Sequence, residues 1–583
     1  GKACLLSAMA MPQTDDASSG HATSTSGPSD GPVTSFFLKL VGMPSEETTS
    51  GHTPLVMLQF SMSLSGPFLC TVVLAAAREF YTLIFGADAD AMGTALLIIS
   101  FWGPVIYPLV GHIQDKEKLA RLFPPSRWGR RSPWFLVHLL GLSLCSALLY
   151  SPPSQEPVTL VAWLVPVLLI GQWCLVNIFV AFESSRAELY PMKGERVLIE
   201  SMNKITVGVG SGIGGALMIL LLGDVPVEKR IAISMAIGLC SLISFIALPI
   251  YFDAKKPADR HLLGNFITEW MEVLHSEAVR HHALLKFWQG AMEATVLTFI
   301  PYHLTYNAKV VGSERQGFIA LAAVAVILVE LLLLPVLTRK FRAGKWDMQL
   351  VCGWAHALCA PVAPLLLALL PLDIEWNILV YIVVMRLCFA PQTYFRTNSL
   401  CWIVDEDCFQ VLGRRREGTF IGVTSFVGSI GRAAAAGILF KGMTMVGLET
   451  ASCLKDCDHH DSQSSAFTDC VDFCETANAD SQPEAVRTYI DVMFYAVIPL
   501  CQVLSAFHIF LFPIKGERLQ RLCEMAKTGV KAQAFGNTSL SKESVEKDSP
   551  SVVDESSPGR HSPFEATPCV PEGAAVVSHL EDV

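Results

Sequence analysis

Gly111-His112-Ile113-Gln114-Asp115, followed after a short basic spacer by Arg127-Trp128-Gly129-Arg130-Arg131-Ser132-Pro133-Trp134, separates two apolar stretches that are each long enough to cross a bilayer. A glycine lets the end of one helix meet its neighbour closely. Asp115 is placed to pair with arginines across the loop, and the arginines keep the loop on the cytoplasmic side. A basic loop with a flanking tryptophan is, on its own, only a positive-inside anchor. The ordered string Gly111, Asp115, Arg127, Gly129, Arg130, Arg131 goes further, because it suits a latch at the cytoplasmic ends of helices that move against each other.

Composition agrees with a life in lipid. Hydrophobic residues make up 51% of the 583, charged residues 16%, and the mean hydropathy is +0.43, whereas a soluble chain carries about 25% charged residues. Twelve apolar runs lie near residues 55–83, 91–113, 133–151, 158–182, 203–223, 230–252, 283–305, 316–338, 348–371, 377–403, 418–447 and 488–513. Runs of about 20 residues fit helices, since a barrel strand is shorter and alternates. No secretory signal is read at the start, and the first run is expected to direct insertion.

Loop charge sets the orientation. Lys116 to Arg131, then Arg339, Lys340, Arg342 and Lys345, then Arg414, Arg415 and Arg416 fall in one set of loops. The opposite loops, such as residues 151–157 and 371–377, are short and nearly uncharged, which places both termini in the cytoplasm. The expected division is a disordered cytoplasmic tail over residues 1–53, a six-helix bundle over 54–252 and a central cytoplasmic linker over 253–282. A second bundle follows over 283–515, with a long non-cytoplasmic loop at 448–487, and a mostly disordered cytoplasmic tail at 516–583. The tails are rich in Ser, Gly, Glu and Pro, which disfavours a packed core. The formal net charge of -10 gathers in the tails and the long loop, so it identifies no partner.

Features recur at matching positions in the two halves. Each has a basic loop after its second helix and a charged turn after its fourth: Glu188 to Arg196 in one, Asp405 to Gly418 in the other. Internal duplication of this kind suits alternating access, in which two bundles rock about a central site.

Gly111-x3-Asp115 with Arg127-x-Gly129-Arg130-Arg131-x-Pro133-Trp134 resembles the loop after helix two of the glycoside-pentoside-hexuronide:cation symporters of the major facilitator superfamily, which include melibiose permease and plant sucrose transporters. Ile403-Val404-Asp405 with Arg415-Arg416-Glu417-Gly418 is similar to the signature after that family's helix ten. Ser185-Arg186-Ala187 resembles the Arg-Ala step at the end of helix four in the sucrose transporters, where that arginine matters for transport. The resemblance covers roughly residues 55–515 and implies an all-α membrane protein with the major facilitator fold: twelve transmembrane helices in two six-helix bundles. It implies sugars as the commonest cargo, with lysolipids or amino acids carried by some relatives. One departure matters. Melibiose permease-like members carry two carboxylates on helix two for the coupling cation, but here the matching stretch is Gly103-Pro104-Val105-Ile106-Tyr107-Pro108. Proton coupling is therefore favoured over sodium. The family's helix-four aspartate falls near Phe179, and its helix-eleven lysine falls on Ser429.

Ionisable groups at membrane depth cost several kcal/mol unless paired or hydrated, so each is a functional candidate. Arg78, Glu79, Glu183, Arg186 and Glu188 stand near helix ends, where snorkelling or capping competes as an explanation. Glu330 and Arg386 read equally as a buried structural pair or as part of a site. Gln289 and Glu293 form an i,i+4 pair suited to a polyol's hydroxyls. Arg432 lies one turn beyond Ser429, towards the cavity or against the small residues around it. Arg186, Gln289, Glu293 and Arg432 are the residues expected to contact solute or carry coupling charge.

Four of the seventeen cysteines stand apart. Cys453, Cys457, Cys470 and Cys474 form two i,i+4 pairs in the long loop, which suits disulfides pairing Cys453 with Cys474 and Cys457 with Cys470 in an oxidising compartment. Zinc is the alternative, with His459 and His460 nearby. No Walker loop, nucleophile elbow or metalloprotease helix occurs, so no enzyme, cofactor or resident metal is expected. The cluster Gly208 to Gly215 mimics a nucleotide loop, but it sits in an apolar helix and reads as close packing. The expectation is a monomeric carrier of a small polar solute, a sugar or glycoside foremost, in a plasma or organelle membrane, with no nucleic-acid partner. A lysolipid or amino-acid carrier and a non-transporting receptor are the alternatives.

Overall fold

The computed structural model describes residues 52–75, 81, 89–154, 156–222, 227–254, 264–371, 373–410, 415–448 and 465–526. Both expected tails, Arg78, Glu79, Cys453 and Cys457 fall outside them. The described residues hold helices and no strand. The long helices are α1 Pro54–Leu74, α2 Ala89–Asp115, α3 Ser132–Leu149, α4 Pro157–Leu189, α5 Lys193–Leu222 and α6 Lys229–Tyr251 in the first half. The second half holds α7 Glu277–Tyr302, α8 Gly312–Arg342, α9 Met348–Leu369, α10 Ile374–Gln410, α11 Glu417–Met445 and α12 Glu484–Leu511. Among the described residues, nine helices are long and apolar enough to cross a membrane: α1, α3, α4, α6 and α8 to α12.

Local chemistry starts these helices where the chain needs them. Thr53 caps α1 ahead of Pro54, and the Asp347 carboxylate accepts from the Gln349 and Leu350 amides at 2.8 and 3.1 Å to open α9. Two π-helical turns interrupt the second half, His303–Asn307 after α7 and Met493–Val497 within α12.

Each half has its own aromatic and aliphatic core. Phe60 stacks on Phe182 and Phe135 on Tyr251 in the first half, while Phe299, Tyr381 and Phe494 fill the second. A third cluster joins the halves, with Ile106, Val110, Val176 and Val180 packed with Phe395, Phe420 and Ile421. Leu332, Leu369 and Phe101 point outward and are largely exposed, as lipid-facing residues are. Of the α5 glycines, Gly210 and Gly214 press on α1: a Cβ there would lie 2.1 Å from the Ser65 carbonyl and 2.8 Å from the Leu69 carbonyl. Gly208, Gly212 and Gly215 face open space.

The central linker contains an amphipathic helix, Phe266–His275, and α7 starts at Glu277, inside the stretch assigned to the linker. The long loop after α11 contains the helix Ser465–Ser481, in which Cys470 and Cys474 are disulfide-bonded. A disulfide sulfur has no thiolate left to offer zinc.

Candidate functional site

Asp115, at the last turn of α2, meets the first turn of α11. Its Oδ1 accepts from the Gly418 amide at 3.0 Å and from Arg131 at 2.7 Å, and its Oδ2 accepts from the Thr419 amide at 2.7 Å and the Thr419 hydroxyl at 2.9 Å. One buried carboxylate thus satisfies two free N–H groups of a helix from the other half and sits at the positive end of its dipole. Glu417 extends the knot, pairing with Arg415 and lying 3.6 and 3.5 Å from Arg130 and Arg131. Arg130 also reaches Glu117 at 2.9 Å and Glu188 at 3.5 Å. Burial opposes the Arg130 charge, but Glu417 and Glu188 outweigh it and raise the guanidinium above its usual value; the same balance raises Arg415.

Glycine makes this approach possible. A Cβ on Gly111 would lie 2.1 Å from the Gly418 carbonyl oxygen, and one on Gly418 would lie 2.7 Å from that of Gly111. Gly129 has φ +73°, and its Cβ would meet the Tyr251 carbonyl at 2.3 Å. The charged turns that recur in the two halves also pair across them, with Arg196 donating to both oxygens of Asp405 at 2.8 and 3.1 Å. Arg416 binds Asp407 at 2.6 Å and Glu272 of the linker helix at 2.8 Å. Arg127 alone among the motif arginines is exposed, outside the knot.

Above the latch, the halves enclose a cavity of about 690 Å³. Its first-half wall is partly apolar, with Phe68 and Phe179 edge to face at 5.5 Å. Charge enters from both sides. Arg186 pairs with Glu183 and donates to Glu200 at 3.1 Å, and Glu200 accepts from Thr397 of the second half at 3.1 Å. Opposite, Arg432 donates to Glu293 at 3.3 Å, with Arg396 4.0 Å from the same carboxylate. Lys286 donates to the Thr424 and Ser425 hydroxyls at 3.1 and 3.2 Å.

The cavity therefore brings together Arg186, Glu293 and Arg432, along with Ser429 and Phe179. It excludes three candidates. Gln289 is buried beside the cavity-facing stripe of Lys286, Gly290 and Glu293, off the lining, because a four-residue step still turns a helix face by part of a quadrant. Glu330 and Arg386 pair with each other away from the cavity, at the junction of α8 and α10, where Lys204 from α5 comes within 3.9 Å of Glu330. Lys286, Arg396 and Glu200 were missed by the sequence reading. Glu200 precedes the apolar run that marks helix five, and the spacing of Lys286, Gly290 and Glu293 was the available signal for the lysine.

Residues 56–516 match the family described as MFS/sugar transport protein. The chain belongs to that family. It is an integral multi-pass membrane protein, and its family is one of transporters rather than enzymes. Among curated proteins it is similar to the inner membrane symporter YicJ of Escherichia coli (strain K12), 25% identical over 180 residues, which are 30% of this chain and 37% of that protein. It is also similar to YnaJ of Bacillus subtilis (strain 168), an uncharacterized symporter, 23% identical over 201 residues, 33% of this chain and 42% of that one. The chain thus matches less than half the length of these relatives. A solved structure of the proton:xylose symporter XylE, bound to 6-bromo-6-deoxy-D-glucose, shares the fold at a TM-score of 0.50 and 13% identity, covering 78% of this chain and 95% of that one.

Proposed function

We propose that this family member is a secondary transporter that moves a small polar solute, a sugar or glycoside foremost, by alternating access of twelve transmembrane helices with both termini cytoplasmic. The observation that carries the reading is the cavity between the halves, lined by charge from both and closed at one end by the Asp115 latch on α11. In this conformation the latch end is shut, so the solute enters from the opposite face, and opening the latch releases it to the cytoplasm. Symporter relatives and the sugar transport family support the solute class. Proton symport fits better than sodium symport, because Gly103 and Tyr107 stand where a cation site of the melibiose type would need carboxylates. Arg186, Glu293 and Arg432 contact solute or carry coupling charge.

The test is uptake into proteoliposomes of labelled sugars, lysolipids and amino acids, with pH and sodium gradients imposed separately. Sugar accumulation driven by the pH gradient is the expected result. Accumulation only with sodium would reject proton coupling, and accumulation of lysolipids or amino acids instead would replace the solute class.

A further inference from the structure

The cavity is not electrically balanced. Arg186, Lys286, Arg396 and Arg432 line it against Glu183, Glu200 and Glu293, leaving one positive charge in excess among the described lining residues. The carboxylates are already engaged: Glu183 and Glu200 by Arg186, and Glu293 by Arg432 with Arg396 beside it. Lys286 makes no ion pair among the described residues. Its ammonium rests on two hydroxyls, which are weaker partners than a carboxylate, while Arg396, Arg186 and Arg432 surround it with like charge against Glu183. Holding an ammonium in such a place is costly unless something anionic completes the site.

Backbone packing fixes where that ammonium stands. A Cβ on Gly428 would lie 3.2 Å from the Lys286 Cβ, one on Gly290 would lie 2.4 Å from the Gly428 carbonyl, and one on Gly431 would lie 2.2 Å from the Phe287 carbonyl. Helices α7 and α11 are therefore in near backbone contact along the stretch that carries Lys286, Glu293 and Arg432. A side chain rooted in so tight a seam is preorganised for recognition, which raises affinity by lowering the ordering cost.

We infer that the solute carries an acidic group, a carboxylate or a phosphate, and that Lys286 is the residue that selects for it. The inference rests on the transporter reading above and deepens it. The acidic group lies against Lys286 on the α7 and α11 side, hydroxyls of the same solute meet Glu293 and Arg432, and its apolar face lies on Phe68 and Phe179. A neutral sugar fills the same volume but leaves the excess charge uncompensated, and it binds more weakly for that reason.

The test compares D-glucose, D-glucuronate and D-glucose 6-phosphate, by calorimetric binding to the purified full chain in detergent and by flux in proteoliposomes. At least one acid is expected to bind on the order of tenfold or more tighter than glucose, and which acid does so tells a carboxylate from a phosphate. Lys286→Met brings acid and neutral sugar to similar affinities, and Lys286→Arg keeps most of the preference. Glucose binding as tightly as both acids to the unmodified, monodisperse protein overturns the inference, as does binding of neither acid, and neither result depends on a variant folding. Acid binding without flux sustains the inference and removes the transport reading. Glucose flux untouched by either acid does the reverse.

Discussion

Asp115 concentrates more of the cytoplasmic closure than any other side chain, since a single carboxylate holds Arg131, two amides and a hydroxyl. Asp115→Ala leaves Arg131 and the start of α11 unpaired in a buried place, a loss of about 3–5 kcal/mol for the latched state. Cysteines introduced on the cavity wall should then react faster with a membrane-impermeant thiol reagent added on the cytoplasmic side, and uptake should fall at equal membrane expression; unchanged labelling would mean that the latch does not hold this end. Arg432→Ala and Glu293→Gln should each abolish uptake while the protein still reaches the membrane, because each leaves the partner charge alone in the cavity. Normal uptake in both would remove the site. At this scale the sequence was legible where charge stood inside an apolar run, as with Glu293 and Arg432, and where a motif ordered it, as with Asp115. It was illegible for Lys286 and Glu200, which lie near the ends of their apolar runs, where a charge looks like a loop residue until the helix is seen to continue. Gln289 shows the opposite error, an apparent shared face that a fraction of a turn moved into the packing.

Helix contacts turn on which glycines face a neighbour. The α5 cluster looked uniform as a string, yet only Gly210 and Gly214 of the five meet backbone, that of α1. Gly210→Ala should lower the thermal unfolding temperature in a fixed detergent, by overpacking worth about 1–3 kcal/mol. Gly208→Ala and Gly212→Ala, in open space, should be neutral or raise it, by about 0.4–1 kcal/mol through a stiffer unfolded chain and better helix propensity. Equal effects at all three positions would mean that the α1 contact is looser than described. Period alone could not separate these glycines, because the distinction belongs to the partner helix. The limits of α5 and α7 were misjudged for a related reason. Hydropathy marks where a helix is apolar, and both continue as polar helices into the region beneath the cavity.

As a whole molecule, the protein is two helical halves held together at one end by salt bridges and main-chain contact, with the cavity above them. The repeated charged turns were visible in the sequence as two similar features, and the structure joins them directly through Arg196 and Asp405. A charge swap, Arg196→Asp with Asp405→Arg, should recover part of the uptake lost by either single change, which a double-mutant comparison measures; no recovery would mean that the pair does not act as a unit. The Cys470 and Cys474 disulfides staple the opposite face, and a reducing agent should lower the melting temperature without altering the latch.

The seal where Gly111 meets Gly418 is built of main chain, with no side chain to swing aside. A rotamer flip cannot open it a little, so the pathway has no partly ajar state through which ions could trickle. It parts only when two helices separate as rigid bodies, which makes each opening a complete event and lets the membrane keep its gradient between one cycle and the next.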